Sequence, residues 1–173
     1  MVGKSQKASV EEFTYGIQTG LFGLWLYHEA KLSDQITFRS EIGYAGGLAV
    51  SFFYDSPIFF MAPDLSIEPR WYYNLDRRVS KSKTIRGNSG SFLSVNMHYF
   101  PDKFSFVSDE YVDFISQLVI VPSWGINRKI GDFFTFEFKA GVGYRHYFSE
   151  NTSYGKGYND VVVYSCLRVG WMF

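Results

Sequence analysis

Three pairs of oppositely charged residues recur two positions apart in this chain of 173 residues. The pairs are Arg39 with Glu41, Glu68 with Arg70, and Glu137 with Lys139. Residues two positions apart point to the same face of a β-strand, so each pair is predicted to share one face. Opposite charges at this spacing can bind one another and their neighbours on adjacent strands. The pairs therefore predict a network of ion pairs on one face of a sheet.

The polar face predicted around these pairs carries more charge. Its charged residues are Arg39, Glu41, Glu68, Arg70, Glu137, Lys139, Arg145 and Arg168, and they are accompanied by Tyr72, Asn96 and His98. If this sheet closes into a barrel of eight strands, as the alternation described below predicts, its interior holds side chains and little else. An isolated buried charge is costly, so these charges are predicted to pair and fill the lumen. Five cations against three anions would favour anions if the lumen opened.

Other arrangements of reactive residues are weaker. His146, Ser149 and Glu150 are residue types used by lipid-modifying enzymes of the outer membrane, but their spacing does not place all three on one strand face. The three histidines of the chain lie on separate predicted elements, and the chain has one cysteine, so no metal cluster is predicted. We therefore predict a non-enzymatic protein without a cofactor.

The alternation that positions these residues is clearest in the last strand. Counting back from Phe173 in twos gives an almost wholly apolar face, whereas the intervening positions include Arg168, Gly170 and Tyr164. A period of two that ends on a terminal phenylalanine is typical of the last strand of an outer-membrane β-barrel. Phe173 is accordingly predicted to be the terminal insertion signal. The alternative is an edge strand of a soluble β-sandwich.

Similar alternation occurs at about 18–28, 36–52, 65–75, 93–99, 118–127 and 133–148. No segment follows the helical period of 3.6 residues. These segments and the last strand give seven strands, and an eighth is predicted within the first sixteen or so residues, where Val10, Phe13 and Tyr15 support it. The predicted fold is all-β: a transmembrane, antiparallel, up-and-down β-barrel of about eight strands. It forms a single domain over 1–173, in which 1–16 is a first strand or a periplasmic segment.

Aromatic residues make up 20% of the chain, which suits rings placed at two membrane interfaces. Trp25, Trp71, Trp124 and Trp171 share the outward position of the alternation, and each precedes a short or basic connection. They predict an aromatic girdle on the periplasmic side. The loop Tyr54–Pro63 is predicted to be extracellular, with either an apolar tip for partner binding or a strand extending beyond the bilayer. Charges balance at 17 against 17, so no nucleic-acid partner is predicted.

Several segments together resemble a group of small outer-membrane β-barrel proteins of Bacteroidetes-type bacteria. The most specific is EPRWYYNL at 68–75, and the others are at 16–20, 39–43, 88–90, 122–126, 141–144 and 167–173. The resemblance implies a barrel in the outer membrane of a Gram-negative cell, without a defined activity.

The predicted function is therefore a structural or accessory subunit of the outer membrane with a filled lumen. Its expected partners are outer-membrane lipid and lipopolysaccharide, the barrel assembly machinery through the last strand, and other outer-membrane proteins. A small channel for polar solutes and a lipid-modifying enzyme are the alternatives. The chain starts without the apolar segment of a signal peptide, so its first residue is expected to be a mature or re-engineered start.

Overall fold

The computed structural model describes residues 8–49, 58–108, 113–148 and 157–173. The strands in these ranges are β1 (Phe13–Gly20), β2 (Gly23–Lys31), β3 (Ile36–Ala49), β4 (Ile58–Trp71), β5 (Gly90–Phe100), β6 (Phe106–Val107), β7 (Gln117–Ile130), β8 (Phe134–Tyr147) and β9 (Tyr158–Met172). A helix, α1 (Leu75–Ser80), and a 3-10 turn (Arg86–Asn88) lie between β4 and β5. Within the described ranges, no helix has the length and apolar character needed to cross a membrane.

Eight of these strands form a closed antiparallel barrel. Chain neighbours pair in the order β1, β2, β3, β4, β5, β7, β8 and β9, and β9 closes the barrel by pairing with β1. The two-residue strand β6 pairs with Phe60 and Met61 of β4, beyond the part of β4 that β5 reaches. The predicted all-β, up-and-down barrel of eight strands is confirmed, with β6 as an additional strand.

The barrel has two ends, which we name by their connections. The proximal end holds the start of β1, the end of β9 and the connections 32–35, 72–89 and 131–133. The distal end holds the connections 21–22, 50–57, 101–116 and 148–157, of which 50–57 and parts of the last two lie outside the described residues.

Two predicted boundaries were wrong. The segment 18–28 is not one strand, because the chain turns at Leu21 and Phe22 between β1 and β2. The apolar turn residues continue the strand pattern and hide the turn, although Gly20 and Gly23 flank it. The predicted strand at 65–75 is also wrong at its end, because β4 ends at Trp71 and Leu75 begins α1. For Tyr54–Pro63 the structure supports the strand alternative from Ile58 onward, and residues 54–57 lie outside the described ranges.

Side chains alternate between the barrel exterior and interior as predicted for most strands. The exterior is apolar, and its exposed strand residues include Leu24, Leu26, Ile42, Leu65, Ile67, Leu93, Val95, Val142, Val161, Val163, Leu167 and Val169. The interior is largely polar and is buried. Glycine lets the strands approach closely: a Cβ atom on the interior residue Gly43 would overlap the carbonyl oxygen of Leu24. The usual arrangement of a water-soluble sheet protein is therefore reversed.

Residues 8–12 and 74–89 pack against the proximal end, and we call them the proximal plug. An apolar cluster at this end consists of Ala8, Val10, Tyr72, Leu75 and Phe92, with Ile85 packed against it. The two plug segments are joined by hydrogen bonds: the Glu11 amide donates to Asn88 Oδ1 at 2.8 Å, and the Gly87 amide donates to Glu11 Oε1 at 2.6 Å. Gly87 has φ 59°, in the left-handed region that favours glycine. The plug therefore covers the proximal opening of the barrel.

Candidate functional site: the interior ion-pair network

Eight charged side chains meet inside the barrel. Each is at least nine-tenths buried, and they are Glu29, Glu41, Glu68, Glu137, Arg39, Arg70, Lys139 and Arg168. They project from β2, β3, β4, β8 and β9, so the network connects strands all around the barrel. Four carboxylates face four cations, and the charges of this set cancel.

Arg70 lies at the centre of the network. Its guanidinium binds Glu137 through Nη1 at 2.8 Å and Nη2 at 3.2 Å, and Nη2 also binds Glu68 at 2.5 Å. Lys139 Nζ contacts the same two carboxylates, at 3.0 Å from Glu68 and 3.4 Å from Glu137. Two parallel N–H groups on one carboxylate form the strongest type of ion pair, because both geometry and charge are matched.

A second group lies on the β1, β3 and β9 side. Arg39 donates through Nε to Glu41 at 2.5 Å and through Nη2 to Gln18 at 2.7 Å. The other oxygen of Glu41 accepts from Arg168 Nη1 at 2.7 Å. Glu41 therefore links the β3 and β9 cations across the barrel interior.

Glu29 joins the two groups to the proximal plug. One carboxylate oxygen accepts hydrogen bonds from Thr37 Oγ1, Tyr72 Oη and Asn88 Nδ2, at 2.8, 2.9 and 3.0 Å. The other oxygen lies 3.4 Å from Arg70 Nη1 and 3.5 Å from Arg39 Nη1. A residue of the plug thus supplies part of the hydrogen bonding that a buried carboxylate requires.

Aromatic rings cover the flat faces of the three arginines. The guanidinium carbons stand over Tyr27 (Arg39), Trp25 (Arg168) and Phe92 (Arg70), at 3.8, 3.8 and 4.4 Å from the ring centres. Such stacking is favourable for a desolvated cation. The rings also occupy volume, so the middle of the barrel is filled with side chains.

The structure brings together seven of the eight charged residues predicted from the sequence. Arg145 lies outside the network: it is partly exposed near the distal end and donates to Tyr147 Oη at 2.8 Å. Glu29 was missed, because the hidden turn at Leu21 and Phe22 obscured the alternation of β2. With Glu29 included and Arg145 excluded, the predicted excess of cations is corrected to a balance of four against four within the network; the buried Asp64 lies outside it and pairs with His98.

Trp25 also departs from its predicted position. It is buried in the barrel interior, where its Nε1 donates to Asp64 Oδ2 at 2.8 Å. The other oxygen of Asp64 is 2.8 Å from His98 Nδ1. Because Trp25 faces inward, it cannot belong to an outer girdle, and the hidden turn again explains the wrong assignment.

The remaining three tryptophans are exposed on the exterior, as their alternation predicts. Trp71 lies 6.1 Å from Tyr73 between ring centres, and Trp124 donates from Nε1 to the Tyr73 hydroxyl at 2.8 Å. Trp171 stacks on Phe133 at 5.2 Å. Phe173 is exposed beside Tyr15, with ring centres 6.0 Å apart. An aromatic belt therefore surrounds much of the proximal exterior; the role of Phe173 as an insertion signal stays a prediction.

The second arrangement considered from the sequence is described in part. His146 Nδ1 lies 2.7 Å from Asn159 Oδ1, whereas Ser149 and Glu150 lie outside the described residues. Within the described part of the chain, no group of three or more histidine, cysteine, aspartate or glutamate side chains is placed to hold a metal ion.

In comparisons with known proteins, no family model, curated protein or solved structure matches this chain. The family resemblance drawn from the sequence therefore stays a prediction.

Proposed function

We propose that this protein is an integral β-barrel of the bacterial outer membrane, with a closed lumen and a structural or accessory role. The observation that carries the proposal is the buried network of four carboxylates and four cations inside an apolar exterior. Paired charges inside and aliphatic side chains outside are the distribution that a barrel requires when lipid is its outer solvent.

The exterior supports the membrane part of this proposal. Leu24, Leu26, Ile42 and Val142 expose more than half of their surface on neighbouring or nearby strands. Exposed aliphatic residues spread over many strands would be unfavourable in water, because apolar surface of this extent drives association. The belt of exposed rings at the proximal end resembles the interfacial aromatic residues of membrane barrels. Outer-membrane lipid, lipopolysaccharide and the barrel assembly machinery are the partners that this location implies.

The interior supports the closed part of the proposal. The network and its covering rings fill the middle of the barrel, and the proximal plug covers one opening. An ion crossing the lumen would have to displace charges that already satisfy one another, which costs several kcal/mol per stranded charge. We therefore expect no steady current when the purified protein is added to a planar bilayer. A stepwise, salt-dependent conductance would favour the channel instead.

Membrane insertion can be tested by substituting lysine for each of two leucines that are similarly exposed. Leu26 lies in the middle of β2 and is 54% exposed, and Leu32 lies in a proximal connection and is 64% exposed. In phospholipid vesicles, Leu26→Lys should lower the free energy of unfolding by about 2–4 kcal/mol, and Leu32→Lys by about 0–1 kcal/mol. In water both changes would stay within about 0.5 kcal/mol.

The unmodified protein provides a further check on insertion. It should require detergent or lipid to remain monodisperse and should change its gel mobility after boiling. If it is monodisperse in plain buffer, and if the two lysine variants behave alike, the outer-membrane assignment is refuted.

A further inference from the structure

A cavity of about 260 Å³ lies inside the distal half of the barrel, on the distal side of the ion-pair network. Its walls include Trp25, Asp64, His98 and Arg168. Liquid water would fill this volume with about nine molecules at roughly 30 Å³ each. The cavity is therefore large enough for a polar group and several carbons of an attached chain.

Next to this cavity, the barrel wall does not extend as far toward the distal end as it does elsewhere. Strand β9 pairs with β8 from Tyr158 to Trp171, but its pairing with β1 begins at Val169. On the other side, the pairing between β2 and β3 stops at Ala45, although β3 continues to Ala49. Among the described residues, a gap between β3 and β9 therefore stands above the turn of the β1–β2 hairpin. We call this gap the lateral notch.

Within the described ranges, the cavity opens at the lateral notch. It is lined by residues from all three borders: Leu21 and Phe22 of the turn, Gly46 of β3 and Leu167 of β9. The exterior around the notch is apolar, since Leu21 is 87% exposed and Val163 is 80% exposed. In a barrel surrounded by lipid, the notch would connect the cavity to hydrocarbon. A molecule that enters by this route therefore needs an apolar chain.

Two buried polar atoms belong to cavity-lining side chains. His98 Nε2 and Arg168 Nε have no hydrogen-bond partner among the described residues, and both side chains are 98% or more buried. The opposite nitrogen of the His98 ring is held by Asp64 at 2.8 Å. An unpaired buried polar atom is unfavourable, because it has lost its hydrogen bonds to water without gaining others. Two of them beside one cavity indicate that a polar group of a ligand can be accommodated there.

The pairing of the interior charges selects a neutral group. The eight-residue network is balanced, and the buried carboxylate of Asp64 already pairs with His98 at 2.8 Å. Adding an ion would therefore leave an uncompensated charge beside groups that are already paired. Arg168 Nε–H can only donate, whereas His98 Nε2 accepts or donates according to its protonation. A hydroxyl group can accept from Arg168 and can either donate to or accept from His98. It therefore satisfies both atoms in either state of the imidazole.

We propose that the lateral notch admits a membrane amphiphile with an apolar chain and a neutral hydroxyl group. The hydroxyl binds His98 Nε2 and Arg168 Nε, and the chain passes between β3 and β9 into the hydrocarbon. This proposal depends on the membrane location proposed above, and it assigns the barrel a ligand class.

The test uses Trp25 as a reporter in the cavity wall. The variant Trp71→Phe, Trp124→Phe, Trp171→Phe leaves Trp25 as the one tryptophan of the chain. In vesicles, this protein is titrated with 2-bromododecan-1-ol, whose bromine quenches a tryptophan that it contacts. The matched probes are 2-bromododecanoate at pH 8, which is charged, and 1-bromododecane, which has no hydroxyl. We expect saturable quenching by the alcohol, at a concentration about tenfold lower than for the other probes, as one or two net hydrogen bonds imply.

Three substitutions in the same background test the binding site. Ala45→Phe fills the cavity and should abolish the saturable quenching, whereas Val95→Phe adds the same ring to the exterior of β5, away from the notch, and should leave it unchanged. His98→Phe should remove the advantage of the alcohol over bromododecane. Folding of each variant is checked by heat-dependent gel mobility, and a variant that fails this check is replaced by Ala45→Leu or His98→Leu.

The outcomes separate this proposal from the membrane proposal. If the unmodified barrel does not insert into vesicles, the membrane location fails. If it inserts but Trp25 shows no saturable quenching, or if Ala45→Phe and Val95→Phe behave alike, the ligand site is refuted. Tighter binding of the charged probe, or equal binding of the alcohol and the bromoalkane, refutes the assignment of a neutral hydroxyl.

Discussion

Replacing Arg70 by methionine removes a cation that contacts three of the interior carboxylates. Arg70 binds Glu137 through two nitrogens, Glu68 at 2.5 Å and Glu29 at 3.4 Å. Methionine fills much of the same volume without carrying charge, so the change tests electrostatics more than packing. After the substitution, the network has four carboxylates and three cations, all of them buried.

The expected loss follows from the partners that remain. Lys139 still contacts Glu68 and Glu137, and Arg39 still lies near Glu29, so no carboxylate is left without a cation nearby. One negative charge is nonetheless uncompensated in the interior. Removing one member of a buried charge network typically costs about 3–5 kcal/mol. We expect Arg70→Met to lower the free energy of unfolding by this amount.

The assay is a reversible urea titration in phospholipid vesicles, followed by tryptophan fluorescence and by gel mobility. Arg77→Met is the control, because Arg77 is exposed on α1 and should change stability by less than about 0.5 kcal/mol. Arg78, on the same helix, is a poorer control. Its guanidinium donates to the Thr84 carbonyl at 3.1 and 2.8 Å.

A double variant distinguishes lost charge balance from lost packing. Arg70→Met combined with Glu137→Met restores equality, with three carboxylates and three cations. The combined loss should therefore be smaller than the sum of the two single losses by at least about 1 kcal/mol. Additive losses would show that the two charges do not interact. Equal, small effects of Arg70→Met and Arg77→Met would show that Arg70 faces water, and the proposed interior would be refuted.

Two further predictions use matched pairs in the same titration. Trp25→Phe removes the buried hydrogen bond to Asp64 and should lower the free energy of unfolding by about 1–3 kcal/mol. Trp124→Phe removes an exposed hydrogen bond to Tyr73 and should lower it by less than about 0.5 kcal/mol. Equal losses would contradict the inward position of Trp25. Gly43→Ala places a Cβ atom against the backbone of Leu24 and should cost about 3 kcal/mol or more. Gly131→Ala meets no atom within 4 Å and should cost about 1 kcal/mol for its positive φ; a milder effect at Gly43 would mean that the strands can separate there.

The sequence alone was sufficient to predict the barrel and much of its interior. The period of two is a local property of each strand, and it assigned Glu68 and Arg70 of β4 and Glu137 and Lys139 of β8 to one face before any pairing was known. Long strands with charge on one face and aliphatic residues on the other leave few alternatives. Their charged residues could therefore be assigned to the barrel interior by counting positions along each strand in twos.

The same counting failed at the turn between β1 and β2, because no polar residue in the turn marks it. Leu21 and Phe22 continue the apolar pattern through the turn between β1 and β2, and this shifted the assignment of the next strand. Trp25 was consequently placed outside, and Glu29 was not recognised as an interior acid. The flanking glycines were the available clue, but glycine also occurs within the strands of this barrel.

Tertiary structure alone decided which charges pair and how the barrel is closed. The contact between Arg70 and Glu137 joins residues 67 positions apart in the chain, and that between Arg168 and Glu41 joins residues 127 apart. Such pairs depend on strand register and on closure of β9 against β1, which alternation within one strand cannot specify. The proximal plug and the lateral notch have the same origin, because one requires distant segments to fold together and the other arises where neighbouring strands differ in length.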